Sequence, residues 1–408
     1  MQVNRNVKEL GETLVNNINV MTACDEGYAK YIFPQLVSLS KIKTNHKINF
    51  FLLYNRVSTE VIDKLVEFSK TLSGLEFYPC FVDKNIEEYT LLASSAGGGG
   101  TGQKYFPYEV YFPLDCHNYL PNWVDRILYI HAADIIFVED FSEYYFSDFN
   151  DKAITAEITA RNFIKQIDNG KPLLYSIDEH LEFLKKNSLL QYFNSGTFMI
   201  NVDKFRKQKR TLDFYLDMRK LIIENRPKVS NGMYYDGDQA FFSFAFLGDV
   251  NSFRGVSDDE INMRVYNYSP FVKQLRHVFK RTEQSEHRII HFDGRFKPWS
   301  IEPNFFEKGN IPGNVNEMNF LKRLHSFTPV AFKDYYALYW KFAEETPFFN
   351  EMLKDSKLLS SNIKRTYLVA VSSDIRHRAK VVKLTEELNQ VKGELRQILD
   401  RLVNIELN

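Results

Sequence analysis

Three short stretches carry side chains that could do chemistry together. The first is Thr22-Ala23-Cys24-Asp25-Glu26-Gly27-Tyr28, where an apolar run passes into a polar one. Asp25 can accept hydrogen bonds from the edge of a nucleobase and Tyr28 can stack on its face. The same two residues also suit a helix N-cap and a core aromatic. The second is His131-Ala132-Ala133-Asp134, set inside the apolar stretch from Ile127 to Val138. A carboxylate in such surroundings is costly unless a cation or several donors compensate it. Asp134 therefore reads either as a ligand of a divalent metal shared with His131 or as a hydrogen-bonded core acid. The third is IHFDGRFKPW, from Ile290 to Trp299. His291 ends an apolar run, Gly294 lets backbone approach a ligand closely, and Lys297 stands before a rigid Pro-Trp. A metal ligand and a cation so placed would clamp a diphosphate, and the plainer alternative is a surface turn over a buried Trp.

Elements of alternating type must position these stretches. Ile18–Ala23, Ile48–Tyr54 and Leu75–Val82 are apolar runs of buried-strand length, and Tyr28–Ser40 and Val61–Leu72 between them have helical spacing. This order predicts a mostly parallel sheet with helices on both faces, which binds ligands beyond the carboxyl ends of its strands. Further strands are expected at Arg126–Ile130, Ala153–Ile158, Phe198–Val202 and Arg288–Phe292, with the apolar Ile135–Val138 following Asp134. Helices are expected at Tyr108–Tyr119, Thr211–Glu224, Asp238–Phe246 and Phe332–Glu345.

Composition narrows the function. Lys plus Arg and Asp plus Glu both number 52, so the formal charge is zero, and a nucleic-acid binder that neutralises phosphates is disfavoured. Aromatic residues make up 15%, enough for a large core and for rings that stack on bases or sugars. Cys24, Cys80 and Cys116 form neither a disulfide framework nor a Cys-x-x-Cys metal site, which fits a reduced, cytoplasmic chain. The N-terminus lacks the apolar core of a signal peptide and no run approaches ~18 apolar residues, so the chain at most lies on a membrane. The Gly/Ser stretch Ser94–Gln103 puts Gln103 where a phosphate loop needs Lys, so it reads as a mobile loop that could close over a site. Near the end, Leu384, Leu388, Val391, Leu395, Ile398, Leu402 and Ile405 step by 4 and 3 in alternation, the seam of a coiled coil. Self-association or a long helix packed on its own domain would satisfy it. Residues 364–383 hold six basic side chains against one acid, a stretch that could touch the anionic inner face of a membrane or form a solvated helix face.

Taken in order, the pieces resemble glycosyltransferase family 8, retaining enzymes that move a sugar from a nucleotide diphosphate, bacterial glycan-synthesising members among them. The resemblance rests on Ala23, Asp25 and Tyr28, then Leu120-Pro121 with Arg126–Ile130, then Asp134-Ile135-Ile136. It continues through Phe193-Asn194-Ser195-Gly196, Ile200-Asn201, Asp236-Gly237-Asp238-Gln239 and the closing HFDGRFKPW, over about residues 17–300. It implies a GT-A-like, Rossmann-type mixed sheet with helices on both faces over residues 1–305; the aromatic helical pattern and the heptad seam add a helical extension over 306–380 and a coiled-coil helix over 381–408.

The resemblance also assigns roles. Thr22, Ala23, Asp25 and Tyr28 would surround the base. Asp134, His291 and His131 would hold Mn²⁺ or Mg²⁺, with Ala132 beside the bound donor. Gly294 and Lys297 would approach the diphosphate. Asn194, Ser195 and Gly196, with Asp238 and Gln239, would line the donor sugar and the reacting face. The implied donor is a UDP-hexose, glucose or galactose, and the implied acceptor a glycan, lipid-linked or protein-linked. In retaining chemistry of this kind the leaving phosphate can itself take the acceptor's proton, so no pre-set pair of carboxylates is needed.

Two positions depart from the family pattern. His131-Ala-Ala-Asp134 has one residue more than Asp-x-Asp and lacks its first acid. A neutral imidazole in place of a carboxylate should disfavour hard Mg²⁺ more than Mn²⁺. Pro113 stands where the family commonly has an Arg facing the donor, so a charge-assisted contact is missing. These departures motivate the alternative of a catalytically impaired scaffold or binding protein assembled through its coiled coil.

Overall fold

A computed structural model describes residues 17–94, 107–160, 167–168, 171–172, 192–209, 211–224, 238–246, 248–252, 267–268, 288–292, 297–300, 303 and 333–357. The expected coiled coil, the basic segment 364–383, most of the Gly/Ser stretch and Gly294 lie outside these residues.

The chain opens with β1 (Ile18–Cys24), α1 (Glu26–Ala29), α2 (Ile32–Ser40), β2 (Ile48–Tyr54), α3 (Thr59–Ser69), β3 (Leu75–Phe81) and α4 (Ile86–Ser94). A 3-10 helix, Tyr108–Asn118, leads into β4 (Arg126–Ile130), β5 (Ile135–Phe137), α5 (Ser142–Tyr145) and β6 (Ile154–Ala160). A short ladder of β7 (Ile167–Asp168) and β8 (Lys171–Pro172) follows, then β9 (Tyr192–Asn201), α6 (Val202–Gln208), α7 (Leu212–Glu224) and α8 (Asp238–Ala245). The last elements are β10 (Val250–Ser252), β11 (Asn267–Tyr268), β12 (Ile289–His291), α9 (Lys333–Glu344) and α10 (349–357).

Seven strands form one sheet in the order β10-β6-β9-β4-β1-β2-β3. The pairs β1–β2, β2–β3, β1–β4 and β6–β10 are parallel, while β9 runs antiparallel to both β4 and β6. Every residue of β1 is buried, as befits a central strand covered on both faces. Two buried polar side chains on β1 and β2 are linked: Asn49 donates to Asn19 at 2.9 Å, and Asn19 donates to the Arg126 carbonyl at 3.2 Å. One apolar cluster, around Met21, Phe51, Tyr111 and Phe242, covers one face of the sheet. A second, around Val20, Phe33, Phe50 and Leu128, covers the other.

Several elements differ from the sequence reading in kind or length. The helix expected over Tyr28–Ser40 is broken at Lys30 and Tyr31 into α1 and α2. The stretch expected to be a helix over Tyr108–Tyr119 is 3-10, with Pro113 inside it and Asp115 at φ −131°. Pro113 has no N–H to donate, which favours the short, irregular form. The strand expected at Phe198–Val202 starts at Tyr192 and ends at Asn201, whose side chain caps α6 by accepting from the Lys204 N–H at 2.9 Å.

A smaller sheet, β11-β12-β5, stands beside the main one. Helices α9 and α10 close over it and over α2, with Tyr336, Tyr339 and Trp340 packed against Val37, Ile290, Phe292 and Trp299. Lys30 holds the far end, reaching Glu351 at 2.7 Å and Asp355 at 2.5 Å. Among the described residues no helix is long and apolar enough to cross a membrane.

Candidate active site

Parallel pairing of β1 with β4 brings the two strand ends out on one edge of the sheet. Thr22 fixes their relative position: its hydroxyl, fully buried, donates to the Ile130 carbonyl at 2.8 Å. Beyond β1 stands Asp25, whose Oδ1 is buried without a hydrogen-bond partner. Beyond β4 stands His131, whose N–H donates to the Gly196 carbonyl at 2.9 Å and so ties it to β9.

From His131 the chain turns sharply to Asp134. The Asp134 N–H donates to the Ala132 carbonyl at 2.7 Å, and Ala133 sits at φ 65°, a left-handed conformation unfavourable for a residue with a Cβ. Gln35 of α2 braces this turn, donating to the His131 carbonyl at 3.0 Å and accepting from the Ala133 N–H at 3.4 Å. Gln35 was not among the candidate residues, although a polar side chain in the apolar run IFPQLVSLS was a signal that could have found it.

β12 pairs antiparallel with β5, His291 opposite Ile135, and the Phe292 N–H donates to the Asp134 carbonyl at 2.7 Å. This register delivers His291 to the turn. His131, Asp134 and His291 each offer a ligand atom, and these atoms lie within 4.8 Å of one another. Both ring nitrogens of the buried His291 and Oδ1 of Asp134 lack hydrogen-bond partners. Orphaned polar atoms of this kind, converging from three elements, fit a divalent cation well. Burial, with the His131 ring and the Lys297 ammonium beside it, holds the His291 imidazole well below its ordinary pKa. At neutral pH it is uncharged and has a lone pair to give.

Two further groups complete the site. The Lys297 ammonium contacts Asp134 Oδ2 and donates to the Phe292 carbonyl at 3.1 Å. Asp238, the first residue of α8, lies 3.2 Å from His131 Nε2 and accepts from the Ser195 hydroxyl at 2.7 Å. Burial works against the Asp238 charge, but the hydrogen bonds from His131 and Ser195 prevail and hold its carboxyl below the usual range. A carboxylate on the imidazole is the ordinary means of orienting a histidine ligand. Ser195, within the Asn194–Gly196 stretch that the resemblance assigned to the donor sugar, belongs to this arrangement. Asn194 lies on β9 and Gln239 on α8, but their side chains, like Gly294, lie outside the described residues.

The strand end at Asp25 is walled by aromatics. Tyr28, partly exposed, meets Trp299 edge-on with centroids 5.8 Å apart, and Tyr31 stacks on the same indole at 4.6 Å. Ala23 is buried in the core just before this edge. Behind it the buried Glu109 accepts from Arg56 Nε at 2.9 Å and from its NH2 at 2.7 Å, and the guanidinium lies over the Tyr108 ring. Pro113, four residues on, is buried within the 3-10 helix.

Comparison with known proteins places the chain in a family and shows a shared fold. A family model described as glycosyl transferase family 8 matches residues 19–302. No curated protein sequence matches the chain. Among solved structures, the bifunctional glycosyltransferase WbbM in its apo form is 16% identical, with 84% of this chain and 52% of that chain covered and a TM-score of 0.51. The galactosyltransferase LgtC in complex with donor and acceptor sugar analogues is 16% identical, covering 78% of this chain and 99% of that one, with a TM-score of 0.47. The glycosyltransferase GlyE of Streptococcus pneumoniae is 14% identical, covering 84% and 64%, with a TM-score of 0.43. The WbbM likeness shows a shared GT-A-like fold.

Proposed function

The chain belongs to glycosyl transferase family 8 and is a glycosyltransferase, and we propose that it transfers a hexose from a UDP-sugar with retention, in a reaction that depends on a divalent metal. The observation that carries this reading is the convergence of His131, Asp134 and His291 within 4.8 Å beside the Lys297 ammonium, at the strand edge that also presents Asp25. The donor is glucose or galactose on UDP. The acceptor is a hydroxyl of a glycan, free or carried on lipid or protein, and the work is done in the cytoplasm.

In this reading Asp25 accepts from the base edge with its unpartnered Oδ1, and Tyr28 packs on the ring. His131, Asp134 and His291 hold the metal, which when bound stabilises charge on the departing diphosphate. Lys297 adds a positive charge at the same diphosphate. Asp238, fixed by Ser195 and His131, keeps its carboxylate ionised at the sugar face. The two histidines make the site softer than a pair of acids, so Mn²⁺ is preferred to Mg²⁺.

Calorimetric titration of UDP with Mn²⁺ present, and again with the metal chelated, tests the proposal. Binding with Mn²⁺ that disappears on chelation and in Asp134→Ala is expected. No binding under either condition would remove the donor-site assignment and leave a scaffold built on the family fold.

A further inference from the structure

Asp134 faces two kinds of partner at once. Its Oδ2 contacts the Lys297 ammonium, while its buried Oδ1 and both nitrogens of His291 have no hydrogen-bond partner. The side chains concerned are shielded, 9% exposed for Asp134 and 20% for Lys297. Lys297 is also anchored by the Phe292 carbonyl, next to the ligand His291 in sequence. A single carboxylate therefore supplies the negative charge that both the ammonium and a divalent ion require. In shielded surroundings an ammonium and a dication on one carboxylate repel each other far more than they would in water.

We infer that Lys297 holds the metal site in check until a nucleoside diphosphate arrives. The ammonium competes with the metal for Asp134, so the metal alone binds weakly. A diphosphate offers Lys297 other oxygens, drawing it from Asp134 while the metal takes the carboxylate. Metal and nucleotide thus bind cooperatively, each raising the affinity for the other by the same factor. The inference rests on the diphosphate reading of the site. It adds that one lysine serves as antagonist of the free metal and as ligand of the nucleotide.

The two roles predict effects of opposite sign from one substitution. Mn²⁺ alone is titrated into the wild type, Lys297→Met, Lys297→Gln and Lys297→Arg, followed by electron paramagnetic resonance of the free ion. UDP is then titrated into each at saturating Mn²⁺. The neutral variants are expected to bind Mn²⁺ about tenfold tighter or more, while Lys297→Arg, which keeps the charge, stays near the wild type. The same neutral variants bind UDP about tenfold more weakly, having lost a charge-assisted contact. The Met and Gln variants differ in polarity, so failure of one to fold leaves the other to decide. Unchanged or weaker Mn²⁺ binding in a folded neutral variant overturns the inference, and UDP binding to the wild type in that case leaves the diphosphate reading standing. Tighter Mn²⁺ binding with no UDP binding to the wild type overturns the diphosphate reading and the relief that depends on it.

Discussion

At the scale of single residues, the proposed chemistry turns on His131. Where the family resemblance expects a carboxylate, this chain carries an imidazole, and the structure shows its Nε2 3.2 Å from the Asp238 carboxylate. A second acid at that position would face Asp238 as a like charge at short range, whereas histidine pairs with it. The histidine and Asp238 are therefore matched, and reversion to the family's acid is not a repair. His131→Asp is expected to weaken Mn²⁺-dependent UDP binding by about tenfold or more. Titration calorimetry checks this, and tighter binding in the variant would show that the histidine is an impairment. The neighbouring Ala133, at φ 65°, makes the turn between His131 and Asp134 a strained one.

At the scale of elements, the site is assembled from strand ends and a brace. Thr22 stitches β1 to β4, and β12 in antiparallel register with β5 carries His291 to Asp134. The turn between His131 and Asp134 depends on α2, since the Gln35 amide bonds both its backbone ends. Gln35→Leu keeps the apolar packing but leaves the His131 carbonyl and the Ala133 N–H without that partner. Loss of two buried hydrogen bonds should cost about 1–3 kcal/mol, read as a fall in the denaturant midpoint. Mn²⁺ affinity should fall with it, because the turn sets the spacing of two proposed ligands, His131 and Asp134. A stability loss with unchanged metal affinity would confine Gln35 to a structural role.

At the scale of the whole molecule, acid stability is spread over sites far apart. Asp249 is held below the usual carboxylate range: burial opposes its charge, but Lys204 at 2.9 Å and the Ala153 N–H at 2.9 Å prevail. Asp238 is lowered likewise at the site. A lowered carboxylate contributes stability above its unfolded pKa, near 4, that is lost as pH falls below that value. His117 is also held low, by burial and by Arg206, so its contribution is complete above about 6.5 and declines as pH falls from there. Thermal unfolding across pH should therefore show a flat region between about 6.5 and 9, a shallow decline below it, and a steep one below about 4. Asp249→Asn should lower stability at neutral pH by about 1–3 kcal/mol and flatten the steep limb; curves that stay parallel down to pH 3 would remove Asp249 from the account. The C-terminal helices enter at this scale too. Lys30, Tyr31 and Asp355 tie α10 to the start of α2, and Trp299 packs between Tyr28, Tyr31 and Tyr339. The aromatic wall of the Asp25 edge is thereby continuous with the packing of residues 333–357.

The alternation of apolar runs with helical spacing was enough to read the α/β class, because strands buried on both faces must be largely apolar, as Ile18–Cys24 and Ile48–Tyr54 are apart from Asn19, Thr22 and Asn49. The candidate ligands His131, Asp134 and His291 were legible for a similar reason: ionisable groups inside apolar stretches need compensation, and that need is visible in one dimension. Their meeting was not. It depends on the register of β12 against β5, on the antiparallel course of β9, and on a left-handed alanine braced from another helix, none of which has a local signature. The pairing of Lys297 with Asp134, of His131 with Asp238 and of Ser195 with Asp238 joins residues 163, 107 and 43 positions apart. Residue types, which local sequence can show, determined which chemistry was available; the tertiary structure decided which charges share a partner, because electrostatic coupling follows distance in space and not along the chain.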